Sequence, residues 1–269
     1  EGVFRFLATA NIVKEMRDLT ILQISTRPAG FWTMMVNEGE LLERFNVKIH
    51  PIDLSEIKEE MDRIKKEDGD ALHKTMVYLK ENTVVGINDQ AVKDVSALKC
   101  AIKNLADRYH CKAAAIQCWN AMQGVLGIFP CAANALLTDE RFPVTCETDI
   151  HGAITAIMAQ AASLENNVTF FADWTVPHPT NDNAEFNISA DVNHDGREEK
   201  LKVTVNKEKP KLGAPFAFHH SHPGSLHGEM KEGQVSILRF DGDNGEYSML
   251  MGEAHTVEGP FNQGTYVWI

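Results

Sequence analysis

Short apolar runs alternate with longer amphipathic stretches through the first 165 residues. Four of these runs are short and apolar enough to be buried strands: TILQIS (20–25), VKIHPI (47–52), KAAAIQC (112–118) and FPVTC (142–146). Between them, DLSEIKEEMDRIKKE (53–67) and NDQAVKDVSALKCAIKNLADRYH (88–110) have helical periodicity, and Asp53 or Ser55 can cap the first of these helices. Because strands separated by helices form parallel sheets with right-handed crossovers, an α/β fold is predicted here.

The pattern changes after NNVTFFADWTV (166–176). The later runs alternate apolar and polar residues and are separated by Asn, Asp, Gly and Pro: AEFNISADV, KLKVTVNK, APFAFHH, QVSILRF, EYSMLMGEA and TYVWI. DGDNG (241–245), between two of them, indicates a hairpin. The sequence therefore predicts a parallel-sheet α/β domain over residues 1–175, followed by a mostly antiparallel, β-barrel-like or sandwich domain over residues 176–269.

Composition and charge narrow the class of ligand. With 43% hydrophobic residues, the 269-residue chain can bury one large core or two medium ones. Its net charge of −12 argues against binding to nucleic acid or to an anionic membrane surface. No run of apolar residues is long enough for a membrane span, and the N-terminal stretch has acidic residues where a signal peptide is basic. We expect a soluble, cytoplasmic protein that binds a small molecule or a metal ion.

The cysteines form an odd set without a CxxC pair, and most have apolar neighbours. They are Cys100, Cys111, Cys118, Cys131 and Cys146. This pattern is typical of reduced core thiols and disfavours a disulfide framework or a zinc site.

Two acidic residues follow predicted strands directly: Glu147 after FPVTC, and Asp173 after NVTFFA. Ligands of open parallel sheets bind outside the carboxyl ends of the strands, and consecutive strands usually lie side by side, so both carboxylates are expected at one edge. Such a pair suits a hard divalent cation or acid–base catalysis. Glu147 also has a structural explanation, as a charge that precedes a helix capped by Thr148 or Asp149.

Histidines cluster in FHHSHPGSLHG (218–228). The cluster comprises His219, His220, His222 and His227. Imidazole binds Mn, Fe, Co and Zn, but the spacing matches no tight ligand template, so a polar loop is an equally good interpretation. DVNHDG (191–196) resembles the opening of a calcium loop, yet its twelfth position is Lys202, so a hairpin turn is predicted. The absence of a P-loop and of GxSxG argues against phosphate chemistry and serine hydrolysis.

A compound motif spans the third and fourth predicted strands. It consists of Cys118, Trp119, Cys131, Pro143, Val144, Cys146, Glu147, Asp149, Gly152 and Ala153. With these residues the chain resembles the central domain of the L-fucose isomerase and L-arabinose isomerase superfamily, most strongly from 112 to 175. FFADWT is similar to the family strand that ends in an acidic metal ligand, here Asp173, and GQVSILRF and YSMLMGEAHTVEGPF resemble the C-terminal β domain.

The resemblance implies an aldose–ketose isomerase of the ene-diol type that uses Mn²⁺, or a related cation such as Co²⁺ or Mg²⁺. It implies a monosaccharide substrate and a homo-oligomer. Glu147 and Asp173 would bind the metal and move a proton between C1 and C2, with the base and the acid unassigned. His219 or His220 is the candidate third ligand, and Trp119 is a candidate substrate contact.

The chain departs from the family pattern in three places. We expect it to lack the family's N-terminal α/β domain and to stop before the family's late His-His pair, and it has AEFNISADVNHDG where the family has a His-Cys-Gly stretch. Because it begins with Glu1 and ends on GTYVWI, we expect a fragment that is inactive alone. One alternative is a non-catalytic sugar-binding or regulatory relative. Another, an enzyme that uses Cys146 or Cys118 as nucleophile, lacks a partner base.

Overall fold

The computed structural model describes most of the chain. The described residues are 2–119, 121–164, 167, 169–177, 179–180, 184–190, 207–213, 222–261 and 264–269. His219, His220, the DVNHDG segment, APFAFHH and nearly all of KLKVTVNK lie outside these ranges, so the predictions made for them stay predictions.

Helices occupy most of the first 162 residues. They are α1 (Gly2–Met16), α2 (Glu38–Phe45), α3 (Leu54–Glu67), α4 (Asp70–Asn82), α5 (Asp89–Arg108), α6 (Ala121–Leu126), α7 (Cys131–Asp139) and α8 (Ile150–Ala162), with a 3₁₀ turn at Trp32–Met34. In the described part of the chain, none of these helices has both the length and the apolar character that crossing a membrane requires.

The strands divide between the two halves of the chain. The first half contains β1 (Thr20–Ile24), β2 (Lys48–Ile52), β3 (Val84–Val85), β4 (Ala113–Ile116) and β5 (Val144–Thr145). The second half contains β6 (Phe171–Pro177), β7 (Ala184–Ala190), β8 (Lys211–Gly213), β9 (Ser225–Glu229), β10 (Gly233–Asp243), β11 (Glu246–Thr256) and β12 (Thr265–Trp268).

A parallel sheet with the strand order β2-β1-β4-β5 forms the centre of the first half. Alternate residues of β1 pack into two hydrophobic cores, one on each face of the sheet. Leu22 packs on one face with α3, α4, α5 and α7, and Ile21 packs on the other face with α2 and α8. Because both faces are covered, all four residues of β4 are buried. The predicted strands and the α/β class are confirmed.

The two predicted helices begin close to their predicted starts. Asn88 caps α5, and its side chain accepts a hydrogen bond from the Ala91 amide at 2.8 Å. Asp53 precedes α3 with an extended backbone, although its side chain makes no capping bond. The periodic apolar positions of α5 are fully buried. Those positions are Val92, Val95, Leu98, Ile102 and Leu105.

The second half forms an open sheet and a separate ribbon. The six-stranded sheet has the order β3-β8-β9-β12-β7-β6, and β10 pairs with β11 alone. No sheet closes on itself among the described strands, so the predicted barrel is not confirmed. One reason is that β3, from the first half of the chain, pairs with β8 and occupies one edge of this sheet. The domain boundary near residue 175 stays a prediction.

The expected position of the strand that carries Asp173 is wrong. We expected it beside β5 in the parallel sheet, but β6 pairs antiparallel with β7 in the other sheet. Strand β5 is only two residues long and offers a short edge, whereas β7 pairs with nearly the whole of β6. The longer hydrogen-bonded ladder therefore determines the partner of β6.

The hairpin predicted at DGDNG is confirmed. Strands β10 and β11 pair in one unbroken register from Gly233↔Thr256 to Asp243↔Glu246. Asn244 and Gly245 form the turn with φ angles of 50° and 80°, the left-handed pair that a type I′ turn requires. The hairpin packs on α8, where the Phe240 amide donates to Thr155 Oγ1 at 2.9 Å.

Gly224 joins the second half to the first. Its amide donates to the Gly213 carbonyl at 2.9 Å, and its carbonyl accepts from the Ala132 amide at 2.9 Å. With φ at +120°, a Cβ on Gly224 would lie 2.2 Å from the Phe129 carbonyl oxygen. Only glycine allows this close approach of the two backbones.

We predict that Gly224→Ala lowers the free energy of unfolding by at least about 2 kcal/mol, because it adds backbone strain and a steric clash. Gly233→Ala is the matched control, since a Cβ on Gly233 meets nothing within 4 Å, and we expect a change within about 0.5 kcal/mol. Urea unfolding followed by circular dichroism measures both. Equal stabilities for the two variants would contradict the close approach at Gly224.

Candidate functional site

Glu147 lies at the carboxyl end of the parallel sheet, at the edge where the loops after β1, β4 and β5 meet; we call this edge the rim. Hydrogen bonds connect these loops: the Thr148 amide donates to the Ile116 carbonyl at 3.1 Å, and Ser25 Oγ donates to Gln117 Oε1 at 3.0 Å. The side chain of Glu147 is therefore where an open parallel sheet binds its ligands.

The turn that carries Glu147 has an unusual backbone. Glu147 and the following Thr148 have φ angles of 53° and 59°, a left-handed conformation that costs about 1–3 kcal/mol for each residue that is not glycine. The turn is held on both sides, since the Asp149 amide donates to the Cys146 carbonyl and Thr145 Oγ1 donates to the Asp149 carbonyl, at 3.0 and 2.7 Å. Strain of this kind is concentrated at functional sites.

The Glu147 carboxyl is buried, with only 4% of the residue exposed. Its Oε1 accepts two hydrogen bonds, one from Cys118 Sγ and one from Trp119 Nε1, both at 3.0 Å. The pKa of Glu147 is raised to about 7; burial is the main cause, the charge of Asp173 adds to it, and the two hydrogen bonds oppose the shift. Glu147 can therefore exchange a proton near neutral pH.

Asp173 interacts with Glu147 although its strand belongs to the other sheet. Asp173 is exposed, and it is close enough for its charge to raise the pKa of Glu147. Gly152 of α8 permits this approach, because a Cβ there would lie 2.8 Å from the ring of Phe171, at the start of β6. A divalent cation near both carboxylates would offset the repulsion between them, and carboxylate oxygen is the ligand type that hard metal ions prefer.

Asp149, and not Glu147 or Thr148, caps helix α8. Its Oδ1 accepts from the Gly152 amide at 2.8 Å, and its Oδ2 accepts from Arg239 Nη1 of the hairpin. Asp149 is 1% exposed, so this ion pair is largely removed from water. The cap is thus one of the two residues predicted for it, and Glu147 precedes the helix, as the structural explanation of this residue requires.

His151 lies beside this ion pair. Neither His151 nor its neighbours Arg239 and Asp241 were predicted as site residues from the sequence. His151 Nδ1 donates to Asp241 Oδ1 at 2.9 Å, and its ring packs edge-on against Phe240. Burial lowers the pKa of His151, and the charge of Asp241 opposes that shift. No local pattern identifies these partners, since the hairpin reaches α8 only through the tertiary fold.

Three cysteines surround the Glu147 carboxyl. All five cysteines are free, as predicted, and four are buried. The donor atoms of Cys118, Cys146 and Glu147 all lie within 4.8 Å of one another. Cys131 is near enough for the charges of Cys118 and Glu147 to raise its pKa. The thiols of Cys118 and Cys146 thus lie at the site. The spacing of the cysteines along the sequence did not by itself predict this position.

The predicted histidine ligands remain untested. His219 and His220 are outside the described residues, and His227 on β9 forms a hydrogen bond with Ser225 Oγ at 2.8 Å. Within the described ranges, neither His222 nor His227 joins the group of donors formed by Cys118, Cys146 and Glu147.

The chain is similar to sugar isomerases along nearly its whole length. It is 25% identical to the sulfoquinovose isomerase of Priestia megaterium (strain ATCC 12872 / QMB1551), over 99% of this chain and 57% of that protein. It is 26% identical to the sulfoquinovose isomerase of Alkalicoccus urumqiensis, over 100% of this chain and 57% of the relative. The chain thus spans little more than half the length of these curated relatives.

A third relative, the sulfoquinovose isomerase of Clostridium sp. (strain MSTE9), is 24% identical over 64% of this chain and 38% of its own length. No family model matches the chain. The relatives support a sugar isomerase family, and their names do not single out the L-fucose isomerase superfamily.

We predict that Glu147→Gln stabilises the metal-free protein at pH 8. The folded protein holds the Glu147 proton to about pH 7, whereas an unperturbed glutamate has a pKa of 4.5, so the stability of the protein falls as pH rises through this window. Glutamine at this position avoids this loss of stability, which is up to about 3 kcal/mol at 1.4 kcal/mol per pKa unit. Its side-chain oxygen can still accept hydrogen bonds from Cys118 and Trp119.

Urea unfolding in the presence of a chelator measures this effect. The gain should be present at pH 8 and absent at pH 4.5, and the exposed Glu43→Gln on α2 should show none at either pH. A Glu147→Gln protein that is less stable than wild type at both pH values would contradict the buried, proton-binding carboxyl.

Proposed function

We propose that this chain is part of a metal-dependent sugar isomerase that interconverts an aldose and its ketose in carbohydrate metabolism. The observation that carries the proposal is the buried Glu147 carboxyl, whose pKa of about 7 is raised in part by Asp173. The similarity of nearly the whole chain to sugar isomerases supports it independently.

The reaction moves one proton between neighbouring carbons. A carboxylate at the rim removes the proton from C2 of the open-chain aldose, and the electron pair forms the C1–C2 double bond of an ene-diol. The resulting carboxyl returns a proton to C1 while the O2 proton passes to O1, which leaves a ketone at C2. A carboxyl that titrates near neutral pH suits both halves of this transfer, because it can accept and return the proton.

Glu147 and Asp173 would also hold the cation, Mn²⁺, Co²⁺ or Mg²⁺, with His219 proposed as the third ligand. When bound, such an ion polarises the sugar carbonyl and offsets negative charge on the sugar oxygens. Cys118 and Trp119 orient Glu147 through their hydrogen bonds to Oε1. We propose that the half-buried Trp119 ring also contacts the substrate.

The names of the relatives suggest the first substrate to test, sulfoquinovose. The proposal has three further parts. Assembly as a homo-oligomer is implied by the family resemblance, and location in the cytoplasm is suggested by the cysteine pattern. Inactivity of residues 1–269 on their own is expected because they span little more than half the length of the relatives. The rival proposal is a non-catalytic sugar-binding or regulatory relative. The exposure of Asp173 favours that rival, because a catalytic carboxylate is usually screened from water.

We predict that Glu147→Gln and Asp173→Asn each abolish Mn²⁺ binding measured by titration calorimetry. Each substitution replaces a charged oxygen ligand by a neutral amide of nearly the same shape, so the loss reports on charge and coordination. Glu43→Gln is the control and should bind as wild type does. Equal affinity in wild type and in both site variants would refute the carboxylate metal site.

We further predict Mn²⁺-dependent interconversion of an aldose and its ketose, with solvent deuterium entering C2 of the recovered aldose. The assay takes sulfoquinovose and a panel of unsubstituted and 6-deoxy aldoses in D₂O, followed by NMR. The assay is run on the full-length protein and, in parallel, on residues 1–269. Turnover without deuterium would indicate hydride transfer, and sugar binding without turnover would support the non-catalytic rival.

A further inference from the structure

Two sulfur atoms and a carboxylate oxygen converge at the rim. The donor atoms of Cys118, Cys146 and Glu147 lie within 4.8 Å of one another, and these residues are 5%, 2% and 4% exposed. Zinc binds sulfur at about 2.3 Å and carboxylate oxygen at about 2.0–2.2 Å, so donors around one ion are separated by at most about 4.6 Å. The spacing therefore accommodates a single ion with little movement of the side chains.

The two thiols are fixed by neighbouring strands. Strands β4 and β5 pair in parallel, with Ala114 opposite Val144 and Ala115 opposite Thr145. Cys118 and Cys146 follow these strands by two residues and by one, so both are placed by the sheet. Donors on such rigid elements lose little conformational entropy when they bind an ion.

Asn134 on α7 provides a second, independent observation. It is 0% exposed, and its Nδ2 donates a hydrogen bond to Cys146 Sγ at 3.5 Å. Its Oδ1 has no hydrogen-bond partner among the described residues. An N–H group directed at sulfur stabilises the thiolate form and orients the ligand, as outer-shell partners do in metal sites.

We propose that Cys118, Cys146 and Glu147 form a binding site for a thiophilic divalent cation, Zn²⁺ or Cd²⁺. On binding, both thiols release their protons to water and the carboxylate supplies the oxygen ligand. Cys131, at the start of α7, is a further thiol within electrostatic range of Cys118 and Glu147. The soft sulfur ligands distinguish this site from the proposed hard-cation site, which takes its ligands from carboxylates.

The binding site stands whether or not the chain is an isomerase, but one consequence rests on the proposed function. Both kinds of cation need Glu147, so they exclude each other. Zn²⁺ would therefore inhibit Mn²⁺-dependent turnover by occupying Glu147 together with the two thiols.

Cobalt titration of the metal-free protein tests the site, with a phosphine as the reductant. Co²⁺ bound to thiolates gives a sulfur-to-metal charge-transfer band in the near ultraviolet, and Zn²⁺ should displace it at one equivalent. We expect at least a tenfold loss of Co²⁺ affinity in Cys118→Ser and in Cys146→Ser. Cys111→Ser is the matched control, because Cys111 is buried elsewhere and contacts the Tyr109 carbonyl.

A second measurement uses the wild-type protein, so its outcome does not depend on whether these variants fold. Zn²⁺ should protect Cys118 and Cys146 from alkylation by at least tenfold, as mapped by mass spectrometry, and should leave Cys111 unchanged. A cobalt spectrum without the sulfur band, or alkylation of Cys118 and Cys146 at the same rate with and without Zn²⁺, overturns the site.

The inhibition experiment separates this proposal from the isomerase proposal. If the sulfur band forms and no aldose is turned over, the thiol site stands and the isomerase function fails. Inhibition of each protein is measured relative to its own rate without Zn²⁺. If turnover occurs and Zn²⁺ inhibits the wild-type protein at least tenfold more strongly than it inhibits Cys146→Ser, both proposals are supported. Equal inhibition of the two proteins places Zn²⁺ on the carboxylates and overturns the thiol site.

Discussion

The burial of one carboxyl group, that of Glu147, explains the other features of the rim. A buried carboxylate is stable only when a proton, a cation or enough hydrogen bonds compensate for its lost hydration. Cys118 and Trp119 donate two hydrogen bonds, while Asp173 adds repulsion, so the balance leaves a pKa of about 7. The left-handed turn at Glu147 holds the group in this environment at an energetic cost. A site of this kind is ready to take up either a proton or a metal ion.

The two halves of the chain cooperate in building this site. Asp149 caps α8 and pairs with Arg239 of the hairpin, which fixes the turn that begins at Glu147. Gly152, one helical turn further on, leaves room for Phe171 and so brings β6 close to the rim. The exposed Asp173 on β6 thereby reaches electrostatic range of a carboxyl in the other sheet. Residues other than the two carboxylates thus determine where the second carboxylate lies.

In the two proposals, the same carboxyl belongs to two donor sets of different chemical hardness. Asp173 would contribute oxygen, which Mn²⁺ and Mg²⁺ prefer, and the thiols of Cys118 and Cys146 would contribute sulfur, which Zn²⁺ and Cd²⁺ prefer. Which ion binds would then depend on the ions available and on the protonation of the thiols. The pKa of Cys118 is raised mainly by burial, and the pKa of Cys146 is raised first by its hydrogen bond with Cys118 and then by burial. Under the two proposals, the buried Glu147 carboxyl thus lets the rim bind either a hard cation or a thiophilic one.

The sequence by itself determined what depends on neighbours along the chain. Hydrophobic periodicity located the four parallel strands and α5, DGDNG located the hairpin, and a strand followed by an acidic residue located Glu147 at the carboxyl edge of the sheet. Only the tertiary structure decided that β6 leaves the parallel sheet, that Arg239 pairs with Asp149 across 90 residues, and that Cys118 and Cys146 meet at Glu147. The physical reason is that local periodicity fixes which face of an element is apolar. Contacts between distant elements depend on which sheet edges and surfaces the complete fold leaves available.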